Sequence, residues 1–269
     1  MQASLGQPII IENVSGAMGS VGIGRVARAT PDGYTLSLGD WNSYVLAGAV
    51  QRAQYDVLKD LEPVALLTIA RLWLVGRIGL PAKNVTELIA WMKLNPVTFG
   101  TVGVGSAGHL CGIALQDKIE AHFQFVPYKG GAPSYQDLVA GHVDLLCSDM
   151  TSTLSLARDG SIRGYAVLSK NRLSIVPEIP TMDEVGLTGL DIAFWRSLWA
   201  PKGTPQDIII TLNGAVMESL ADTTVSRRLA ELNQEIPPRE QQTPDALRAL
   251  QKVDAERWWP IIKANIKGE

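Results

Sequence analysis

Residues 97–109 run Val97-Thr98-Phe99-Gly100-Thr101-Val102-Gly103-Val104-Gly105-Ser106-Ala107-Gly108-His109. A β-branched and aromatic run, a glycine loop and the first turn of an apolar helix follow one another directly, which is the junction of a βαβ unit. Glycines let such a loop curl until successive N–H groups and the helix N-terminus converge on an anion. Downstream the alternation continues, with a helix over 107–119, strand 123–127, helix 131–140, strand 143–147, helix 151–158 and strand 163–168. That order predicts an α/β unit with parallel strands.

Upstream, the Val-, Ile- and Leu-rich stretch from Leu61 to Ile78 predicts two strands. Asn84 and Glu87 have the spacing of a capping box opening a helix over 85–94. Ile9-Ile10-Ile11 reads as a buried strand after the stub of a helix. A glycine-rich passage then leads into a short helical pattern over 21–28. Pro31-Asp32-Gly33-Tyr34 is a turn signal before a strand over 35–39. Residues 205–221, 224–231 and 244–265 read as closing helices with no sheet of their own, and the N-terminal strands are the sheet available to them. The expected organisation is therefore one lobe from 1–97 plus 200–269 and a second from 98–199, with hinge crossings near Pro96–Phe99 and Trp199–Gly203.

Composition narrows the function. The 269 residues carry 24 basic and 27 acidic side chains, a net charge of −3, with no run of five like charges. A nucleic-acid or anionic-membrane partner would want a basic stripe, and none is present. Apolar stretches are broken by Arg71, Arg77 or Lys83 before reaching the length of a membrane span. The two cysteines, Cys111 and Cys147, lack metal-ligand spacing, and their apolar neighbours predict buried thiols. No metal or cofactor is expected. Residues 1–8 carry no export signal.

The glycine loop admits three readings. Gly103-Val104-Gly105-Ser106-Ala107-Gly108 matches the dinucleotide pattern G-x-G-x-x-G, but no acidic residue lies between Ala121 and Tyr135 to hold a ribose. A hydrolase elbow on Ser106, with His109, His122 or His142 as base, would want glycine where Val104 stands. A carboxylate cradle needs only donors and backbone freedom. A tight loop without a ligand is the plain alternative to all three.

A longer series of motifs points to a family. Glu12-Asn13 with Gly16-Ala17-x-Gly19, Pro31-Asp32-Gly33-Tyr34-Thr35-Leu36, Asp60-Leu61-Glu62-Pro63-Val64 and Pro127-Tyr128-Lys129-Gly130 occur in order. Asp137-Leu138-x-x-Gly141-x-Val143-Asp144, Pro177-Glu178-Ile179-Pro180-Thr181 and Pro201-x-Gly203-Thr204-Pro205 continue the series. Together these resemble the Bug-type substrate-binding receptors of tripartite tricarboxylate transporters over nearly the whole chain.

The resemblance implies a periplasmic-binding-protein type II fold, two α/β lobes closing by a hinge on a ligand between them. It implies a non-enzymatic, monomeric periplasmic receptor that hands a small organic carboxylate to integral membrane permease subunits. Carried over by position, the candidate ligand contacts are Thr101, Gly103, Gly105, Ser106 and His109 in the cradle, and Asp40, Trp41, Asn42 and Ser43 after the strand over 35–39. Tyr128, Lys129 and Gly130 follow another strand end, Asp149 a third, and Trp195 lies near the crossover. Asp149 reads equally as a helix cap or ion-pair partner, Lys129 as a solvated side chain, and Trp258-Trp259 as core.

Two departures bear on the ligand. Family members begin with a signal peptide, a strand and a Pro-Gly-Gly-rich loop, and Met1 falls beyond the position of that loop. Asp40-Trp41 stands where the family has small hydroxyl or amide residues, which leans the expectation toward an aromatic or amine-bearing ligand. An enzyme on the same fold, with Ser106 or Asp149 as the reacting group, and a non-functional shortened remnant are the rival readings.

Overall fold

The computed structural model describes residues 1–14, 16–50 and 54–266. Its chain forms two compact units, Met1–Ile69 with Trp195–Glu269, and Ala70–Phe194. The first holds helix α1 (Gln2–Leu5), helix α2 (Ser20–Ala27), strand β1 (Ser37–Asp40) and helix α3 (Ala47–Val50). Strand β2 (Leu61–Arg77) then carries the chain into the second unit. There follow helix α4 (Val85–Leu94), β3 (Val97–Thr101), α5 (Ala107–Ile119), β4 (Phe123–Pro127), α6 (Gly131–Ala140), β5 (Leu145–Asp149), α7 (Met150–Arg158) and β6 (Ile162–Val167). Strand β7 (Ala193–Pro201) returns to the first unit, which closes with helices α8 (Gln206–Ala221), α9 (Thr223–Glu231) and α10 (Pro244–Ile266).

Residues 70–97, expected with the first lobe, belong to the second unit. The chain passes between units at 69/70 and 194/195, not near 96–99 and 199–203. The cause is β2, which is one strand of 17 residues where two were expected. Arg71, the apparent break, pairs with Asp191 at 3.2 Å and so stays in the strand.

In the second unit the strands run β6-β2-β5-β3-β4. β3 is parallel to both β4 and β5, while β2 is antiparallel to β5 and β6. The carboxyl ends of β3, β4 and β5 therefore share one edge. One core cluster gathers Trp73, Val75, Leu138, Val143, Leu146 and Met150. Elsewhere in the unit Phe99 stacks on Phe123, ring centroids 5.4 Å apart, and meets Phe125 edge-on. Asn84 caps α4 by accepting from the Glu87 amide at 2.9 Å, and Glu87 accepts in turn from Lys83 N and Asn84 Nδ2. The Asn84 half of the expected capping box is formed, while Glu87 reaches back to the amide of Lys83 instead of that of Asn84.

In the first unit β1 pairs antiparallel with β7, which neighbours β2. Val64, Ala65, Leu198 and Ala200 pack against Ile209, Leu212 and Val216 of α8. Two expectations fail here. Ile9-Ile10-Ile11 forms no strand, and Ile10 and Ile11 are 84% and 81% exposed, because no described strand pairs with them. β7 stands where only a crossing near Trp199–Gly203 was expected. In the second unit a third expectation fails, since Cys111 and Cys147 are joined in a disulfide with Cα atoms 6.2 Å apart. No described helix is long and apolar enough to cross a membrane.

Candidate functional site

Three helices of the second unit, α5, α6 and α7, begin immediately beyond the carboxyl ends of β3, β4 and β5, so their N-termini gather on one edge. Each end carries about half a positive charge from aligned peptide dipoles, and an anion beside one gains roughly 0.3–1 kcal/mol. Strand ends of open α/β sheets are where ligands collect for this reason.

The loop before α5 is held by its own bonds. Gly103 N–H donates to Thr101 Oγ1 at 3.4 Å and Ser106 N–H to Gly103 O at 3.2 Å. Gly105 N–H donates to His109 Nδ1 at 3.0 Å, and Ser106 Oγ caps the helix by accepting from His109 N–H at 3.3 Å. Gly103 and Gly105 adopt φ of 119° and 77°, which only glycine takes readily. The expectation that the amides of Gly103, Gly105 and Ser106 face an anion is therefore corrected: all three are engaged within the loop. The amides of Val104 and Gly108 keep no acceptor among the described residues, and Val102, Gly103 and Val104 are half-buried.

His109 is buried and sets its ring edge-on to Phe125, centroids 4.6 Å apart, so its role in the loop is to hold it. Thr101 is likewise buried, and its carbonyl accepts from Tyr128 N–H at 2.7 Å, tying the end of β3 to the end of β4. Tyr128 Oη donates to Asp137 Oδ2 at 2.6 Å. Burial, with the bond to Asp137 and its negative charge, pushes the Tyr128 hydroxyl up to about 12. Gly130 caps α6 without any side-chain bond, so the Gly131 and Ala132 amides meet no acceptor among the described residues, beside exposed Lys129. Asp149 Oδ1 accepts from Thr151 N–H at 3.1 Å, which makes it the cap of α7.

In the first unit Asp40 Oδ1 accepts from both the amide and the hydroxyl of Ser43 at 3.2 Å. Asn42 opens the following helical turn and is half-buried. Trp41 and Trp195, expected as possible stacking surfaces, are core residues, each 1% exposed. Trp41 meets Trp258 edge-on at 5.4 Å and Trp195 lies parallel to Tyr44 at 6.4 Å. Trp195 Nε1 donates to Asp254 Oδ2 of α10 at 2.8 Å, and Trp41 Nε1 lies near the same carboxylate without reaching bonding geometry.

Burial raises the Asp254 carboxyl above its ordinary range, offset in part by the two indoles and Arg257. An acid with a raised folded pKa holds its proton more tightly when folded, so its contribution to stability is greatest below the unfolded value and declines as pH climbs through the folded one. Asp254→Asn keeps an acceptor for Trp195 and removes that decline. Urea melts should show the variant losing less stability than the parent between about pH 4 and pH 7. Parallel losses would refute the assignment.

Sequence reading took Gly16-Ala17-x-Gly19 as a family motif but assigned it no place in the site. Gly16, Ala17, Met18 and Gly19 all have positive φ, of 122°, 47°, 51° and 86°. Left-handed backbone costs a non-glycine residue roughly 1–2 kcal/mol. A Cβ on Gly19 would stand 2.6 Å from Ser43 Oγ, so this strained turn is pressed against the candidate loop at 40–43. Strain of this kind gathers at functional sites. The paired glycines at 16 and 19 were the available signal.

A two-unit α/β chain with helix N-termini gathered at one parallel-strand edge agrees with a solute-binding receptor, the class that comparison with known proteins shows. The chain belongs to the tripartite tricarboxylate transporter family of receptors, whose model matches residues 1–266. It is 33% identical over 267 residues to Protein BugT of Bordetella pertussis, covering 98% of this chain and 81% of BugT. It is similar to the structure of MatC from Rhodopseudomonas palustris with bound malate, at 33% identity and a TM-score of 0.88, covering 97% and 90% of the two chains. An R. palustris protein with adipate matches at 29% identity and a TM-score of 0.90, covering 97% and 88%. The family consists of periplasmic solute-binding receptors, which are not enzymes.

Proposed function

We propose that this chain captures a small aliphatic dicarboxylate in the periplasm and delivers it as a monomer to the integral membrane subunits of a tripartite transporter. The observation that carries this reading is the shared edge of β3, β4 and β5, where Val104, Gly108, Gly131 and Ala132 offer amide hydrogens beside Lys129. Two similar solved structures hold malate and adipate, both dicarboxylates. Main-chain donors suit an anion and supply no general base.

The candidate contacts divide accordingly. Thr101, Gly103, Gly105, Ser106 and His109 shape the cradle, Lys129 and Gly130 border the open α6 end, and Tyr128 and Asp149 fix the strand ends. Asp40, Asn42 and Ser43 form the candidate loop of the first unit, with Trp41 and Trp195 supporting it from that unit's core. Asp40 is bonded to Ser43 and Trp41 is buried, so neither favours an aromatic or amine-bearing ligand. The hydrolase reading also loses support, since Ser106 is fully buried and its Oγ serves as a cap.

Isothermal titration with malate, adipate, citrate, benzoate and the diamide of adipate tests the proposal. Saturable heat is expected with at least one dicarboxylate and none with the diamide. Silence across all the acids, or equal binding of the diamide, counts against it.

A further inference from the structure

We propose that the Cys111–Cys147 disulfide is a positioning device for ligand capture, fixing the α5 N-terminus relative to the α7 cap so that carboxylate affinity falls when the bond is reduced. The inference rests on the receptor reading above for its ligand but on local geometry for its mechanism. Cys111 lies one turn inside α5, and Cys147 lies two residues before Asp149 on β5. Both are buried, and their bond joins positions 36 residues apart in sequence. It therefore ties the helix whose N-terminus carries the glycine loop to the strand that ends in the cap of α7.

Packing is sparse where this helix begins. In its first turns the face that α5 turns toward the sheet is Gly108, Cys111 and Gly112, spaced i, i+3 and i+4. A Cβ on Gly108 would stand 2.8 Å from the carbonyl oxygen of Cys147, and one on Gly112 would stand 2.6 Å from the Phe125 ring. The first turns of the helix thus sit against the sheet at its closest approach, and branched side chains, Leu115 and Ile119, interlock only further along the same face. The covalent link lies at the end of the helix that this interdigitation does not reach. On reduction by a phosphine, two electrons from phosphorus and two protons from water convert the bond to two thiols, and the phosphine leaves as its oxide. The sulfurs must then part from bonding to van der Waals distance. A binding site whose donors must be held within about 0.5 Å is sensitive to such a shift. The family is periplasmic, and disulfides persist in that compartment.

The experiment compares the full chain before and after reduction by a phosphine, with malate and adipate as probes and backbone amide exchange as a readout that needs no ligand. Denatured, unreduced protein should titrate no free thiol. Reduction should speed exchange at 104–110 at least tenfold relative to α4, and should weaken probe binding at least fivefold. The Cys111→Ala/Cys147→Ala variant should match the reduced protein, and if it does not fold, the reduced parent carries the comparison. Two titratable thiols before reduction, equal exchange in both redox states, equal acceleration in α4 and α5, or unchanged affinity would each overturn the proposal. If the oxidised protein binds neither probe, the ligand reading fails for them, while the exchange contrast still decides the positioning claim.

Discussion

Replacing His109 by leucine is expected to weaken carboxylate binding by roughly one to two orders of magnitude. His109 Nδ1 accepts the Gly105 amide at 3.0 Å, inside a loop where Gly105 and Ser106 are buried. Leucine keeps the apolar contact with Phe125 but offers no acceptor. A buried amide left unpaired costs about 1–3 kcal/mol, and each 1.4 kcal/mol is a factor of ten in affinity. The loop escapes that cost by turning the amide outward, which displaces the neighbouring Val104 and Gly108 donors. Asparagine places an oxygen where Nδ1 stands, so His109→Asn should recover most of the affinity. Titration calorimetry on the parent and both variants checks this, and a leucine variant that binds like the parent contradicts it.

The second large effect is on stability. Asp144 Oδ2 accepts from the amide and hydroxyl of Thr98 at 2.9 and 2.7 Å, and Oδ1 accepts from Arg77 Nε at 2.8 Å. Its own backbone carbonyl accepts from Arg77 N–H at 3.0 Å. One carboxylate thus joins the end of β2, the start of β3 and the approach to β5. The pair is largely buried, with side-chain exposures of 29% for Arg77 and 14% for Asp144. Asp144→Ala leaves a guanidinium and a backbone amide without their acceptor, and removing one partner of such a pair costs about 3–5 kcal/mol. That is a large share of the roughly 5–15 kcal/mol a domain possesses. Asp144→Asn, which restores the Thr98 bonds but not the charge, should fall between. Urea denaturation measures the series, and a loss below about 1 kcal/mol for alanine would mean the network is solvated.

How far the sequence carried depended on whether the information was local. β3, α5, β4 and α6 fall at the expected residues, because each has strong periodicity and is bounded by glycine or a cap. Asn84 as the N-cap of α4 is readable for the same reason, whereas Ser106, read as a cradle contact or nucleophile, is the N-cap of α5. β2 was split in two because Arg71 looks like a break until Asp191 is found beside it, 120 residues away. β7 was taken for a crossover because its aromatic run has no turn signal at its start. The disulfide joins residues whose spacing matches no common framework, so burial alone was expected.

The candidate site divides along the same line. That a glycine loop leads into a helix after β3 is legible, and so is the gathering of strand ends. Which amides remain open is not, because that depends on His109 reaching back to Gly105 and on Thr101 accepting from Gly103. The burial of Trp41 and Trp195 depends on Asp254 and Trp258, which lie on the last helix. The strain at Ala17 and Met18 is a property of backbone angles that side-chain identity does not announce.

The receptor account stands on main-chain donors at the β3–β4–β5 edge. Titrating ¹⁵N-labelled protein with malate or adipate and following backbone amide shifts tests it most directly. Saturable shifts concentrated at Val102–Gly108 and Lys129–Ala132 are the predicted result. Saturable binding that leaves both segments unmoved would contradict the account.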